Sequence, residues 1–160
     1  MIVKLMLASL MLGLFAMPLQ QAHAAQKKGP VTVEANQMEL VDGGKQAIFT
    51  GLVDAVREDG HIKSDKMIVD YTDTKQADGT MKSEVSNLDC TGNVTITTKT
   101  QVITGEWAKM NVTANTLVVG GNVKVVQGKT VLTGPKLDVD LNTNRTIMSG
   151  GRVKGSFVPN

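Results

Sequence analysis

Along most of the chain apolar and polar residues alternate one by one, as in Met67, Val69 and Tyr71, in Ala108, Met110 and Val112, and in Leu137, Val139 and Leu141. A period of two marks a strand with one face turned to the interior. β-Branched Val, Ile and Thr dominate these stretches, and such side chains fit a pleated, half-buried surface. Companion strands follow at Val94 and Ile96 and at Val123 and Val125. Clusters such as Asp42-Gly43-Gly44, Asp59-Gly60, Gly120-Gly121 and Asn142-Thr143-Asn144 are expected to turn the chain between strands. No segment beyond residue 24 has a helical period.

A longer period lies over the short one. Superposing the glycine-centred segments aligns Gly51-Leu52-Val53, Gly92-Asn93-Val94, Gly121-Asn122-Val123 and Gly151-Arg152-Val153, with valines 41, 29 and 30 residues apart. A second landmark stands 13 residues after each of the first three glycines, at Ser64, Gly105 and Gly134, and Ala35 holds the same place one unit earlier. The long interval carries a dozen extra residues between Tyr71 and Cys90, around the polar run 72–80, which is expected to be one inserted loop. Two residues before each landmark stands Val33, Ile62, Ile103 or Leu132, a column of equivalent inward positions. Units recurring at such a period stack to bury a core that none could bury alone. The pattern therefore predicts an all-β fold of two packed antiparallel sheets or an elongated jelly roll, built from ~29-residue two-strand repeats. A closed single barrel is the alternative. Open strand edges are expected at the ends of the stack, where sheets either blunt themselves or meet partners.

The first residues follow another logic. Lys4, a mostly apolar run over residues 5–19 and the small-x-small site Ala22-His23-Ala24 read as a removed signal peptide over residues 1–24. The remaining 25–160 suits one domain, with 16 basic against 15 acidic side chains. Such a balance gives no pull toward nucleic acid, and interleaved aromatics for base stacking are missing as well. Only Phe49, Tyr71, Trp107 and Phe157 are aromatic beyond the leader, so aliphatic side chains and deformable methionines must fill the interior.

Catalytic chemistry has little to work with. His61 is the single histidine after the leader and is read as a solvated loop residue at the Gly60 turn. Cys90 is the single cysteine, which excludes an internal disulfide and is read as a small buried hydrophobe. One His and one Cys far apart form no zinc or iron pattern, so no metal or other cofactor is expected. Carboxylates such as Asp138 and Asp140 alternate with core positions and belong on the solvated face. Each glycine segment is expected to lead into a strand, and none opens a helix, so none is a phosphate cradle. The chain is read as non-enzymatic: it binds or bridges.

Pro30-Val31-Thr32-Val33-Glu34-Ala35-Asn36, followed by Ala47-Ile48-Phe49-Thr50-Gly51-Leu52-Val53, resembles the opening of the OstA-like family of lipopolysaccharide-transport proteins, the LptA family. Val119-Gly120-Gly121-Asn122-Val123-Lys124-Val125, Leu132-Thr133-Gly134-Pro135-Lys136-Leu137 and the ending Gly151-Arg152-Val153 with Phe157-Val158-Pro159 are similar to later family segments. The resemblance implies a periplasmic β-jelly-roll bridge that carries lipopolysaccharide from the inner to the outer membrane, its lipid A acyl chains lying in an apolar groove. It also implies partners among the inner- and outer-membrane transport proteins, joined through edge strands, and a head-to-tail homo-oligomer. Val31 and Val33 match family positions at the groove mouth, and Phe49 matches an interior aromatic or apolar position. Strand parity alone adds Leu40, Met67, Val69, Val94, Ile96, Met110, Val123, Val125, Leu137 and Val139 as lining residues. For these the alternative is an ordinary sandwich core, and for the whole chain it is a structural or protein-binding β-scaffold. Shielding matters because burying a methylene is worth ~0.8 kcal/mol, so a chain of about a dozen carbons costs on the order of 10 kcal/mol to expose.

Overall fold

The computed structural model describes residues 31–158 except 42, 44, 58 and 59. The expected leader over 1–24 lies outside these residues, as do Asp42, Gly44 and Asp59 of the expected turns. Ten strands follow in order: β1 (Thr32–Glu34), β2 (Gln37–Val41), β3 (Gln46–Arg57), β4 (Gly60–Lys75), β5 (Met81–Thr98), β6 (Val102–Asn111), β7 (Thr116–Gln127), β8 (Thr130–Asp140), β9 (Arg145–Ser149) and β10 (Lys154–Ser156). All belong to one antiparallel sheet in the order β1, β3, β4, β5, β6, β7, β8, β10, with β2 also on β3 and β9 also on β8. β1 and β2 thus form one bent edge strand, and β9 and β10 form the other. The stack is eight bent strands, with no α-helix among the described residues.

The bends fall where the glycine landmarks do. Register shifts interrupt the ladders between Thr50 and Val53, Thr91 and Val94, and Gly120 and Val123. There the backbone takes two successive left-handed residues: Gly51 and Leu52 at φ 82° and 49°, Gly92 and Asn93 at 81° and 47°, Gly121 and Asn122 at 78° and 48°. Glycine adopts this region at no steric cost and asparagine at a modest one. Because the chain pairs with the same neighbours on both sides of each bend, these are bulges inside long strands. The expectation that Gly120-Gly121 separates strands, and that the segments at Gly51, Gly92 and Gly121 lead into them, is corrected accordingly, whereas Gly151-Arg152-Val153 does lead into β10. Val53 pairs with Ser64, Val94 with Gly105 and Val123 with Gly134. The 13-residue step is therefore the path from a corner to the rim of one wall and back, and the other wall takes up the rest of the unit. The two expected sheets are these two walls, continuous through the corner line.

Neighbouring strands lock each corner. A Cβ on Gly92 would collide with Asp65, one on Gly121 with Glu106 and one on Gly51 with Asn36. Asn93 Nδ2 donates to Asp65 Oδ2 at 2.8 Å, and Asn122 Nδ2 donates to Glu106 Oε1 at 2.7 Å. On the outer face the Trp107 ring lies over its cross-strand partner Gly120, covering backbone that a strand glycine leaves bare.

Two local expectations change. Residues 72–75 and 81–84 are not loop: they extend β4 and β5 as a paired ribbon, and only 76–80 turns the chain. Alternating threonines at 72 and 74 favour that strand conformation. His61 is not a loop residue either. It pairs with Val56 inside β4, is half-buried, and its Nε2 contacts Asp54 Oδ1 on the adjacent strand.

Inward side chains of both walls meet in a single core, in which Met67, Val53 and Val94 are 1% exposed and Leu137 is fully buried. Ser64 is the buried polar side chain of this core, and its hydroxyl donates to the Lys66 carbonyl at 3.1 Å. Leu137→Ala is expected to cost about 3 kcal/mol of stability, against under about 1 kcal/mol for Ile147→Ala on the outer face, measured by urea unfolding. Gly79 and Gly92 share left-handed φ values of 87° and 81°, but space around Gly79 is open. Gly79→Ala should therefore cost about 1 kcal/mol, and Gly92→Ala at least about twice that, since only the second forces the corner apart. Burial pushes the Cys90 thiol up to about 11, so it is protonated at neutral pH. A maleimide should label it only when urea unfolds the chain.

Candidate functional site

The register turns the inward positions into rows that run from one edge of the stack to the other. In the first wall, Val33, Ala55, Ile62, Ile96, Ile103, Val125, Leu132 and Gly155 are successive cross-strand partners. The expected column Val33, Ile62, Ile103 and Leu132 is every second member of this row. Near the corner, Val53, Val94 and Val123 each face a small residue, Ser64, Gly105 or Gly134. That alternation of large and small side chains lets the walls approach at the fold line.

Two further rows cross the second wall. One comprises Met38, Phe49, Met67, Cys90, Ala108, Val119, Leu137 and Met148, and the other Leu40, Ala47, Val69, Leu88, Met110, Leu117, Val139 and Thr146. Within the three rows and the corner pairs the non-aliphatic members are Phe49, the thiol of Cys90, the small residues Ser64, Gly105, Gly134 and Gly155, and Thr146 at the far edge. The physical source of this continuity is parity: β4, β6 and β8 slip by one residue at the corner, so that inner positions stay aligned with those of their neighbours.

Exposure divides the candidate lining residues by their place along the rows. Phe49, Met67, Val69, Val94, Ile96, Val123, Val125, Leu137 and Val139 are buried in the middle of the stack. Val33 and Met110 are half-buried and pack against that core. Val31 and Leu40, on the first edge, are 55% and 65% exposed. Leu40 pairs with Ala47 on the inner face, so it is uncovered because the row ends there. The structure thus brings the candidates other than Val31, which stands just before β1 outside the paired rows, onto one continuous face, closed in the middle and open at the β1 and β2 edge.

Sequence reasoning passed over Met38, which pairs with Phe49 and is 59% exposed. Its signal was present, since it stands two residues before Leu40. It also passed over Leu117 and Val119, buried in β7, and Phe157, whose ring lies against Gly155 at the other end of the first-wall row. Glycine landmarks do not flag these positions.

Polar chemistry sits outside. Asp54 meets His61 Nε2 and lies 3.5 Å from Lys63 Nζ on the outer face of the first wall. Desolvation works against ionisation there, yet His61 and Lys63 hold the Asp54 carboxyl below the usual carboxylate range. A shallow hollow of about 270 Å³ at the adjoining rim is lined by Val56, Arg57, Gly60, His61, Thr97, Thr98 and Lys99. Another, of about 300 Å³ on the corner line, is lined by Asn93, Val94, Thr95, Thr104, Gly105, Glu106, Gly121 and Asn122. Among the described residues, no group of three or more His, Cys, Asp or Glu side chains is placed to hold a metal ion. No helix among them is long and apolar enough to cross a membrane.

Comparison with known proteins gives this geometry a family. An uncharacterized protein of Rhizobium meliloti (strain 1021) is 29% identical over 154 residues, covering 88% of this chain and 81% of that protein. The fold matches the crystal structure of LptH from Pseudomonas aeruginosa with a TM-score of 0.68, at 17% identity and over 81% of this chain and 96% of that one. LptH is described as the LptA-homologous periplasmic component of the conserved lipopolysaccharide transport device, and at this identity the match establishes the β-jelly-roll fold. Residues 32–145 match the family described as LptA/(LptD N-terminal domain) LPS transport protein, and the chain belongs to that family.

Proposed function

We propose that this protein is exported to the periplasm of a Gram-negative bacterium, loses residues 1–24 and acts as a single domain, 25–160, that carries lipopolysaccharide from the inner toward the outer membrane. The observation that carries the reading is the inner face: three apolar rows crossing eight strands, with apolar pairs along the corner, and Met38 and Leu40 left uncovered at the first edge beside the exposed Val31. Family membership supplies the cargo class. Acyl chains lie along the rows and the sugar-phosphate head stays in water, since a polar head would lose its hydrogen bonds inside. The walls part along the rim opposite the corner line to admit the chains. Methionines 67, 110 and 148 refit around them, because the unbranched thioether side chain adapts to irregular shapes.

No reaction is required for this task, and the protein works without catalysis or cofactor. The described histidine is engaged with Asp54 on the outer face, remote in register from Cys90 on the inner one. Edge strands β1, β2, β9 and β10 serve as joints to the inner- and outer-membrane transport proteins and to further copies of this chain, by adding strands to the sheet. A second reading, a structural or protein-binding scaffold with an ordinary core, draws support from the near-complete burial of Met67 and Leu137.

Photo-crosslinking separates the two. A photoreactive side chain at Val33, Leu40 or Phe49 is expected to label lipopolysaccharide in cells, and one at the outward-facing Thr104 or Lys109 is not. Protein-only crosslinks from every inward position would establish the scaffold instead. Leu40→Asp should lower lipid labelling from Val33 by about tenfold while leaving the unfolding midpoint in place, because an exposed rim residue contributes little to the core.

A further inference from the structure

On the outside of the corner line, Glu106 and Trp107 place an acidic and an aromatic side chain together where the fold alone calls for no aromatic. The equivalent residues one repeat earlier are Asp65 and Lys66, and Lys66 faces Thr91 where Trp107 faces Gly120. The Gly92-Asn93 corner bends through the same left-handed pair as Gly121-Asn122, with neither a ring nor a further glycine before it. Trp107 and Gly120 are thus an addition to the corner.

The addition lies in a row of complementary groups. Trp107 is half-buried because one side of its ring rests on Gly120 while the rest meets water. Next along β7, the Glu106 side chain packs over Gly121, and the Asn122 amide donates to Glu106 Oε1 at 2.7 Å. Ring, carboxylate and amide therefore follow one another over Gly120, Gly121 and Asn122. Glu106 and Asn122 also line the shallow hollow of about 300 Å³, together with the Asn93 amide and the cross-strand hydroxyl pair Thr95 and Thr104. That volume is at the lower end of small-ligand clefts.

A sugar ring presents an apolar C–H face and a rim of hydroxyls. A tryptophan ring supplies flat apolar area for the first. Carboxylate oxygens accept, amides donate and accept, and threonine hydroxyls do both, which suits the second. An anionic ligand would meet the Glu106 carboxylate at close range, and like charges repel there.

We propose that Trp107, Glu106, Asn122, Thr95 and Thr104 form a binding site for a neutral stretch of a glycan strand, separate from the apolar inner face. The corner line is the side away from the rim at which the carried lipid keeps its sugar head in water. The strand accordingly belongs to a lipid-free glycan in the same compartment. This choice of source rests on the cargo reading; the site itself does not.

Trp107 is the single tryptophan of the chain, so its fluorescence reports occupancy directly. Titration of the purified protein with the tetramer of N-acetylglucosamine is expected to shift the emission and saturate with a Kd on the order of 1 mM. Glu106→Gln and Thr104→Val should each weaken binding by about threefold to tenfold with an unchanged thermal midpoint, and Lys66→Ala at the earlier corner should leave it as in wild type. Trp107→Ala, followed by calorimetry, should abolish it. An oligosaccharide cut free of lipid from lipopolysaccharide should bind more weakly than the tetramer; binding as tight or tighter overturns the choice of source. No saturable response to either saccharide, or wild-type affinity in folded Glu106→Gln and Thr104→Val, overturns the site. Lipid labelling from Val33 should be the same in Glu106→Gln as in wild type, which keeps this test apart from that of the cargo reading.

Discussion

A strand that bends sharply must keep its N–H and C=O groups paired on both sides of the bend, because an unpaired buried backbone group costs as much as a lost hydrogen bond. This protein meets that constraint with two left-handed residues in succession, repeated in β3, β5 and β7. The bulge takes up the turn and the ladder resumes. Everything else follows from the corner being cheap: walls that are halves of the same strands, a core without chain crossings, and inner rows aligned from end to end. Side chains over the glycines make the corner specific, and the Asn93 and Asn122 amides tie it to the acidic residue of the strand before. Leu52 fills the corresponding place in β3 at φ 49° and 79% exposure, with a bulky side chain where the other two corners use asparagine.

Much of this was legible from residue types. Alternation gave the strands, and the spacing of Gly51, Gly92 and Gly121 gave the repeat, because a left-handed backbone conformation restricts the residue strongly. What the glycines did there was not legible, since turns and bulges draw on the same residues. Only pairing partners tell them apart, and these are non-local. The ribbon of β4 and β5 was hidden for a similar reason: Thr72, Asp73 and Lys75 are polar on both faces, so the period-two signal vanishes although the backbone stays extended. Likewise, parity placed Leu40 on the inner face but could not reveal that the row stops there, because exposure at an edge depends on what lies beyond it.

Under the proposed function, one property of the inner face underlies both stability and cargo. Aliphatic side chains that hide from water by packing on one another can hide equally well by packing on an acyl chain, at ~25 cal/mol per Å² in either case. Exchange between the two states then needs little net energy, provided the walls can separate. The walls are joined along the corner line by continuous backbone and face each other at the rim through side chains alone. Resistance to opening therefore rises from rim to corner, where Val53, Val94 and Val123 stand beside Ser64, Gly105 and Gly134.

The path from corner to rim and back has a consequence for how such a domain changes over evolutionary time. A repeat contributes one outgoing and one returning strand, so gaining or losing a whole unit of about 29 residues alters only the length of the stack. A change of a single strand would reverse the direction of one terminal edge and exchange its inner and outer faces relative to a neighbour. Length in this architecture is quantised in strand pairs. Additions such as the ribbon beyond Tyr71, which is entered through a register shift between Asp70 and Tyr71, lie at the rim, where extra residues lengthen a hairpin without displacing any corner.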